Sequence, residues 1–366
     1  MHMLFLADGL FPFVVGGMQK HSTMLIKHLS PLVDQITVCT CGPTNAPTPS
    51  IDDLLAELVT TKSNVEVLAC NFKDTGKLPG HYLRASRRLS RTYLNLAGDL
   101  SQYDCIYAQG LTGDAFLKKH PRVMVNLHGL EMFQPAFSLA EALAKRLMRP
   151  HFRRQIRLGW KLVSLGGKLG DILLAQGARK DQIVVLPNGV DDFWFDTPNA
   201  AKPSGQTRFL MVGRNEYRKG FHVLQEALSI LEEPIELHLA GDWPKIKSTH
   251  HNVTYHGVVR DKHELIKIVD SCDVLLLPSL SEGMPTVVLE AKARGLRIIA
   301  SDVGAMSNLQ EDLINANNPK QLAQIMQSSE IKGLKSLSKD YRWNRIAAST
   351  TKVFIEDEAS GNVGLF

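Results

Sequence analysis

Short, nearly uninterrupted apolar runs recur along this chain, separated by longer stretches in which apolar residues return every three or four positions. In the first half the runs at His2–Ala7, Gln35–Thr40, Asn64–Ala69, Asp104–Ala108, Arg122–Leu127 and Gln182–Leu186 read as strands. In the second half the corresponding runs are Arg208–Val212, Glu236–Ala240, Val253–Tyr255, Asp273–Leu277 and Arg297–Ala300. Runs apolar on both faces, such as FLMV, DVLLL and RIIA, suit parallel sheets covered by helices on either side. Alternation of strand and helix argues for an α/β fold. Two such series predict two doubly wound domains, with ligand sites at the carboxyl ends of their strands. The turn-rich stretch PNGVDDFWFDTPNAAKPSGQTR, Pro187 to Arg208, marks the boundary between them.

Composition narrows the class without changing the fold. A chain of 366 residues accommodates two domains, and 44% hydrophobic with 22% charged residues is an ordinary globular balance. No run approaches the roughly 18 apolar residues of a membrane span. The start, MHMLFLADGLF, reads as a first buried strand, because it lacks the basic leader of a secretory signal. Cys39, Cys41, Cys70, Cys105 and Cys272 match no zinc or redox spacing, so they are expected to be buried, reduced, structural thiols of a cytoplasmic protein. The net charge of +5 is uneven: residues up to 192 carry 22 Lys and Arg against 16 Asp and Glu, the remainder 20 against 21.

Several residues at predicted strand ends carry candidate chemistry. Gly16 and Gly17 lie between the first strand and a helical pattern with Met18, Leu25 and Leu29 on one face; such a turn either simply reverses the chain or presents free helix N–H groups to an anion. Gly213, Arg214 and Lys219 follow RFLMV and precede a helix expected over Gly220–Glu233, which suits a diphosphate or else a solvated basic loop. In PSLSEGMPTVVLEAKARG a helix is expected to start near Met284 and run through Arg294, with Pro285 in its first turn. Glu282 then precedes the helix and Glu290 lies within it. Both are suited to accept hydrogen bonds from sugar or ribose hydroxyls, unless Glu282 caps the helix and Glu290 is a surface charge. His128, after VMVNL, faces a ligand or donates to a backbone carbonyl.

Taken together, FPFVVGGMQKHSTMLIKHL, the HG of His128–Gly129, VVLPNGVD, VGRNEYRKG, LHLAGD, VTYHGVV and SEGMPTVVLEA resemble the retaining glycosyltransferases of family 4 over most of the chain. The resemblance implies a GT-B fold of two Rossmann-like parallel-sheet domains facing an interdomain cleft. Residues 1–187, completed by a last helix over about 342–366 (YRWNRIAASTTKVF), would form the acceptor side, and 188–341 the nucleotide-sugar side. It implies that Gly16 and Gly17 stand beside the donor diphosphate, and that Arg214 and Lys219 neutralise it. Gly213 belongs to the same donor-binding loop. Glu290 resembles the ribose-binding glutamate, and Glu282 the residue facing the donor sugar hydroxyls, with Gly283, Met284, Pro285 and Thr286 beside it. His128 resembles the histidine that contacts the donor hexose, and Val258 stands where the backbone meets the base. The implied reaction is retaining transfer of a hexose-type sugar from a UDP- or GDP-sugar to a glycan, glycolipid or protein-linked acceptor, in polysaccharide, lipopolysaccharide or glycoconjugate synthesis. The resemblance implies no metal and no cofactor. One departure is that the segment after SDVGA reaches the next helix sooner than is usual in the family.

Two basic segments stand out from the motifs. Arg84, Arg87, Arg88 and Arg91 share one helical face, with Tyr82, Leu89, Tyr93 and Leu96 on another. From Ala142 to Gly170 eight basic residues, including Arg146, Arg149, Arg153 and Arg157, occur without an acid. These segments fit peripheral contact with an anionic membrane at its cytoplasmic face, a groove for an anionic acceptor, or a solvated surface. Nucleic acid is a poor partner, since no stacking aromatics interleave with the bases. A nucleotide-sugar epimerase or hydrolase and a non-catalytic partner subunit are the competing readings. A dinucleotide-dependent dehydrogenase is disfavoured because GLFPFVVGGMQ lacks G-x-G-x-x-G.

Overall fold

The computed structural model describes residues 1–43, 47–58, 64–72, 81–198, 205–246, 250–309, 312–328 and 337–359. The chain divides into two compact units: Met1–Asn188 with everything from Trp343 onward, and Gly189–Arg342.

Unit 1 is built on seven parallel strands: β1 (His2–Leu6), β2 (Gln35–Cys41), β3 (Val65–Cys70), β4 (Cys105–Gln109), β5 (Val123–Asn126), β6 (Lys161–Ser164) and β7 (Ile183–Val185). Their spatial order is β3-β2-β1-β4-β5-β6-β7, so the direction of winding reverses between β1 and β4. Met3 to Leu6 of β1 are wholly buried, as expected of a central strand covered on both faces. The covering helices are α1 (Gly17–Leu29), α2 (Ile51–Leu58), α3 (His81–Ala97), α4 (Leu139–Leu158) and α5 (Lys168–Ala175), with the chain's last helix, Trp343–Ala359. That last helix packs beside α1, where the Trp343 ring meets His21 edge to face at 5.2 Å, and Phe354 stacks on Trp160 at 5.4 Å.

Unit 2 repeats the plan with six parallel strands: β8 (Arg208–Val212), β9 (Glu236–Ala240), β10 (Asn252–Gly257), β11 (Val274–Leu277), β12 (Arg297–Ser301) and β13 (Asp312–Ile314), in the order β10-β9-β8-β11-β12-β13. Its helices are α6 (Phe193–Asp196), α7 (Phe221–Ile230), α8 (Lys262–Asp270), α9 (Thr286–Ala293) and α10 (Pro319–Gln327). Arg294, just past α9, locks the first stretch of the unit onto the sheet. It binds both oxygens of Asp270 at 2.7 Å and donates to the carbonyls of Trp194, Thr197 and Pro198. A guanidinium buried this deeply is tolerable only because nearly every N–H has an acceptor.

The sequence expectation of two doubly wound parallel-sheet domains matches what is seen, with two strands added. β6 and β13 were not anticipated, because four and three residues leave too little pattern to recognise. β13 shows that the short segment after Ala305 still supplies an edge strand. The helix expected over Gly220–Glu233 is the shorter α7. The boundary stretch is not wholly irregular, since it contains α6; residues 199–204 within it lie outside the described residues. All five cysteines are free thiols, but only Cys39, Cys105 and Cys272 are buried, while Cys41 and Cys70 retain some exposure. Among the described residues no helix is long and apolar enough to cross a membrane.

Candidate active site

In a doubly wound sheet the loops leaving the two strands that flank the reversal part to opposite sides, which opens a crevice. In unit 2 those strands are β8 and β11. After β8, Gly213 carries φ 152°, and the chain then makes a single tight turn over Tyr217–Lys219 that ends at Gly220 with φ 72°. Gly220 is required twice: its backbone is left-handed, and a Cβ there would overlap the Pro278 carbonyl oxygen. Next to that close approach the Leu280 N–H donates to the Arg218 carbonyl at 2.7 Å. The two loops are thereby stitched together, and their side chains are forced to meet.

Glu282 is where they meet. Its Oε1 accepts from Lys219 Nζ at 2.6 Å and from Ser279 Oγ at 2.8 Å, while Arg218 stands 3.4 Å from Oε2. The glutamate is 5% exposed. α9 starts at Thr286, with Pro285 at the N-cap position, and the Val288 N–H turns back to the Pro285 carbonyl at 3.2 Å. This corrects the expectation of a start near Met284 with Pro285 inside the first turn. Gly304 holds the turn in place: a Cβ there would overlap the Gly283 carbonyl, which accepts from Ala305 N–H at 2.9 Å. Glu290 is 8% exposed and so is not a surface charge, and Met284 is buried beside it in the same segment.

Arg214 is not brought to this cluster. It is largely exposed and pairs with Glu216 at 3.0 Å, a carboxylate it shares with Arg218 at 2.7 Å. The cation that joins Lys219 on Glu282 is therefore Arg218, which the motif reading passed over although it lies in the same basic run. Val258 follows β10 and is exposed, next to Gly257, whose carbonyl accepts from Gly241 N–H at 2.6 Å.

In unit 1, His128 leaves β5 in a left-handed conformation, φ 55°. Its N–H donates to Asn126 Oδ1 at 2.9 Å, and its Nε2 bonds to Gln109 Oε1. The alternative of a bond to a backbone carbonyl is thus replaced by a side-chain amide. The ring of His21 lies edge-on to it at 5.1 Å, and His21 Nδ1 bonds to Asn188 Oδ1 at 3.0 Å. Burial, reinforced by the neighbouring His21, holds His128 well below the usual imidazole range; burial alone takes His21 down to about 4 against the Asn188 bond. Both rings are therefore neutral at pH 7. Gly16 stands before the first turn of α1, where Gln19 reaches back to the Asp8 carbonyl at 2.7 Å, and Gly17 is exposed. α1 begins without a side-chain cap.

The basic segments fall on α3 and α4 of unit 1, joined by a bond from Arg87 to His151 at 2.9 Å. Arg84, Arg87, Arg88 and Arg91 are exposed, as are Arg146, Arg153 and Arg157. Arg149 is turned inward to the Met132 carbonyl at 3.0 Å. Leu139, Leu143 and Leu147 of α4 are exposed on the same helical face as Arg146 and Arg153. Of the stripe expected on α3, Leu89 and Tyr93 are buried, while Tyr82 and Leu96 are exposed. Among the described residues, no group of three or more His, Cys, Asp or Glu side chains is arranged to hold a metal ion.

Comparison with known proteins adds the following. A family model described as Glycosyltransferase Family 4 matches residues 15–192, and one described as Glycosyl transferases group 1 matches residues 206–328. The chain is 32% identical over 127 residues to the N,N'-diacetylbacillosaminyl-diphospho-undecaprenol alpha-1,3-N-acetylgalactosaminyltransferase of Campylobacter jejuni, covering 31% of this chain and 33% of that protein. The chain spans a third to about half the length of the curated relatives it matches. In fold it is similar to a sucrose-phosphate synthase from Thermosynechococcus elongatus, with TM-score 0.75, 16% identity and coverage of 98% and 99% of the two chains. It is also similar in fold to HepE from Anabaena in complex with UDP-glucose, with TM-score 0.61, 17% identity and coverage of 98% and 100%.

Proposed function

The chain belongs to glycosyltransferase family 4, and from that membership we propose that it transfers a hexose-type sugar, with retention, from a UDP- or GDP-sugar to a glycan, lipid-linked or protein-linked acceptor in polysaccharide or glycoconjugate synthesis. The observation that carries the reading is the cluster at the unit 2 reversal, where Glu282 receives Lys219, Ser279 and Arg218 shortly before the start of α9. Two cations beside a helix N-terminus suit a departing diphosphate, and fixed donors of this kind are worth roughly 10²–10³ each in rate when the site is dry. Glu282 and Glu290 are the acceptors for sugar and ribose hydroxyls, Gly213 and Val258 line the base and phosphate side, and Arg214 reaches the phosphates from the rim. His128 and the Gly16–Gly17 turn are the unit 1 residues that the family resemblance assigns to the donor. The reaction proposed uses no metal ion, as the family resemblance implies. The complex of HepE with UDP-glucose and the lipid-diphosphate name of the Campylobacter relative favour the same classes of donor and acceptor.

The test is thermal-shift screening against nucleoside diphosphates and their sugars, followed by transfer assays with the donor found. A ligand at 100 times its dissociation constant should add about 2.7 kcal/mol of stability. If no member of the panel stabilises the protein, the reading fails.

The arginine faces of α3 and α4, with the exposed leucines of α4, support a second element of the proposal: peripheral attachment to an anionic membrane. Co-flotation with anionic vesicles at low salt that is lost with neutral vesicles is the expected result, and equal behaviour with both kinds of vesicle removes the element.

A further inference from the structure

Next to His128, the interior of unit 1 is organised around a residue that the transferase reading leaves unassigned. His21, in the second turn of α1, is buried, as are Asn126 at the end of β5 and Tyr107 and Gln109 on β4. His21 Nδ1 bonds to Asn188 Oδ1 at 3.0 Å, and its Nε2 lies 3.4 Å from Asn126 Nδ2. The same amide nitrogen donates to the Tyr107 hydroxyl at 3.1 Å, while Asn126 Oδ1 accepts the His128 N–H at 2.9 Å. The His21 ring also meets the rings of His128 and Trp343 edge to face, at 5.1 and 5.2 Å.

One backbone group decides where the protons of this network sit. The His128 N–H can only donate, so the amide oxygen of Asn126 must face it and the amide nitrogen must face Tyr107 and His21. His21 Nε2 is then an acceptor, its proton is on Nδ1, and the Asn188 oxygen is the partner that Nδ1 requires. A second proton, on Nε2, would set donor against donor and release Asn126. Asn126 in turn holds His128 at φ 55°, a left-handed conformation that a residue with a side chain keeps only under constraint. Gln109 fixes the far end of the same ring through Nε2.

A residue that merely filled this space would need volume alone, and phenylalanine would supply it. His21 supplies the acceptor that orients Asn126. It also touches both points where the chain crosses the edge of the unit, Asn188 on leaving and Trp343 on returning. We infer that His21 is a positioning residue of the transfer reaction: by accepting from Asn126 it fixes the backbone of His128, and by binding Asn188 it ties that loop to the place where the chain leaves the unit. The inference rests on the transferase reading, in which His128 is assigned to the donor sugar.

The experiment compares wild type with His21→Gln, His21→Asn and His21→Phe in the full chain, using the donor found in the nucleotide-sugar screen. Glutamine puts an amide oxygen near the place of Nε2 and keeps the Asn126 bond. Asparagine puts an amide near Nδ1 and keeps only the Asn188 bond. Phenylalanine keeps the ring and neither bond. In His21→Asn and His21→Phe kcat should fall about 10²-fold, the scale of a small misplacement at a reacting centre, with donor KM little changed. In His21→Gln it should fall by less than about tenfold. Nucleoside diphosphate affinity should be equal in all four, which also shows that each variant is folded. Histidine-selective 15N NMR of wild type, assigned by the signal lost in the variants, should place the His21 proton on Nδ1. Wild-type kinetics in His21→Phe, rescue by asparagine rather than glutamine, or a proton on Nε2 each overturns the inference and leaves the transferase reading standing. A wild type that binds no nucleotide and transfers no sugar fails on the transferase reading and takes this inference with it.

Discussion

Replacing Glu282 with glutamine changes one charge in the unit 2 cluster and almost no volume. In the unliganded protein the carboxylate accepts from Lys219 at 2.6 Å and Ser279 at 2.8 Å, with Arg218 at 3.4 Å. The Lys219 side chain is 15% exposed, so its ammonium depends on that carboxylate more than a surface lysine would. Removing one partner of a fully buried pair costs about 3–5 kcal/mol. Here Arg218 keeps Glu216, and both cations retain a path to water, so the charged hydrogen-bond scale of about 1.5–3 kcal/mol applies. We expect Glu282→Gln to lower unfolding stability by about 2 kcal/mol, measured by urea titration at pH 7.5. The sign of the effect with nucleotide is more telling. A bound diphosphate supplies the anion that Lys219 has lost, so the deficit should shrink on saturation with UDP or GDP, whichever binds. By linkage the variant then binds the bare nucleoside diphosphate more tightly, by a factor of about five for each kcal/mol recovered. The transfer rate should nevertheless fall, because the sugar loses its hydroxyl acceptor. A variant as stable as wild type, or one that binds the diphosphate more weakly, would refute this reasoning.

Three further outcomes follow from the same geometry. Lys219→Ala should weaken nucleoside diphosphate binding about tenfold or more by titration calorimetry, and an unchanged affinity would remove Lys219 from the site. Arg294→Met should cost about 3–5 kcal/mol in urea unfolding, because it breaks a buried ion pair with Asp270 and removes the donors to three backbone carbonyls, and nucleotide affinity measured in the folded protein should change little. His21 has its pKa lowered from 6.5 to about 4, so below pH 6.5 the unfolded chain takes up a proton that the folded chain refuses. Stability should therefore fall as pH drops from about 6.5 towards 4, by about 1.4 kcal/mol per pH unit from this residue, and His21→Gln should remove that share of the slope between pH 6 and 5.

What could be read in the sequence was set by the range of the interactions involved. The strands flanking both reversals were legible because burial on two faces writes a continuous apolar run, as in FLMV and VLLL. KLVS and DLI were not, since an edge or near-edge strand of three or four residues has no pattern left. Glu282 and Lys219 were recognisable as residue types at a motif spacing, whereas the choice between Arg214 and Arg218 was not. That choice is made by the Leu280–Arg218 backbone bond and by the closeness of Gly220 to Pro278, contacts between segments some sixty residues apart. His21 was invisible for the same reason. A histidine in a helix resembles any buried core residue until Asn126, Asn188 and Trp343 close around it.

The two sheets share one winding order, yet their reversal points differ in charge, and the difference follows from which loops reach them. In unit 2 the loop after β8 brings Arg218 and Lys219 onto the carboxylate supplied after β11, so the cluster is cation-rich. In unit 1 the loop after β1 brings a carboxyl, and the α3 residues that face it are Tyr82, Ala85, Ser86 and Leu89, while the arginines of the same helix point to solvent. The helical period alone enforces that separation, because positions 82, 85, 86 and 89 lie on one side and 84, 87, 88 and 91 on the other. An arginine moved one position, to 86, would abolish the distinction by placing a cation against Asp8.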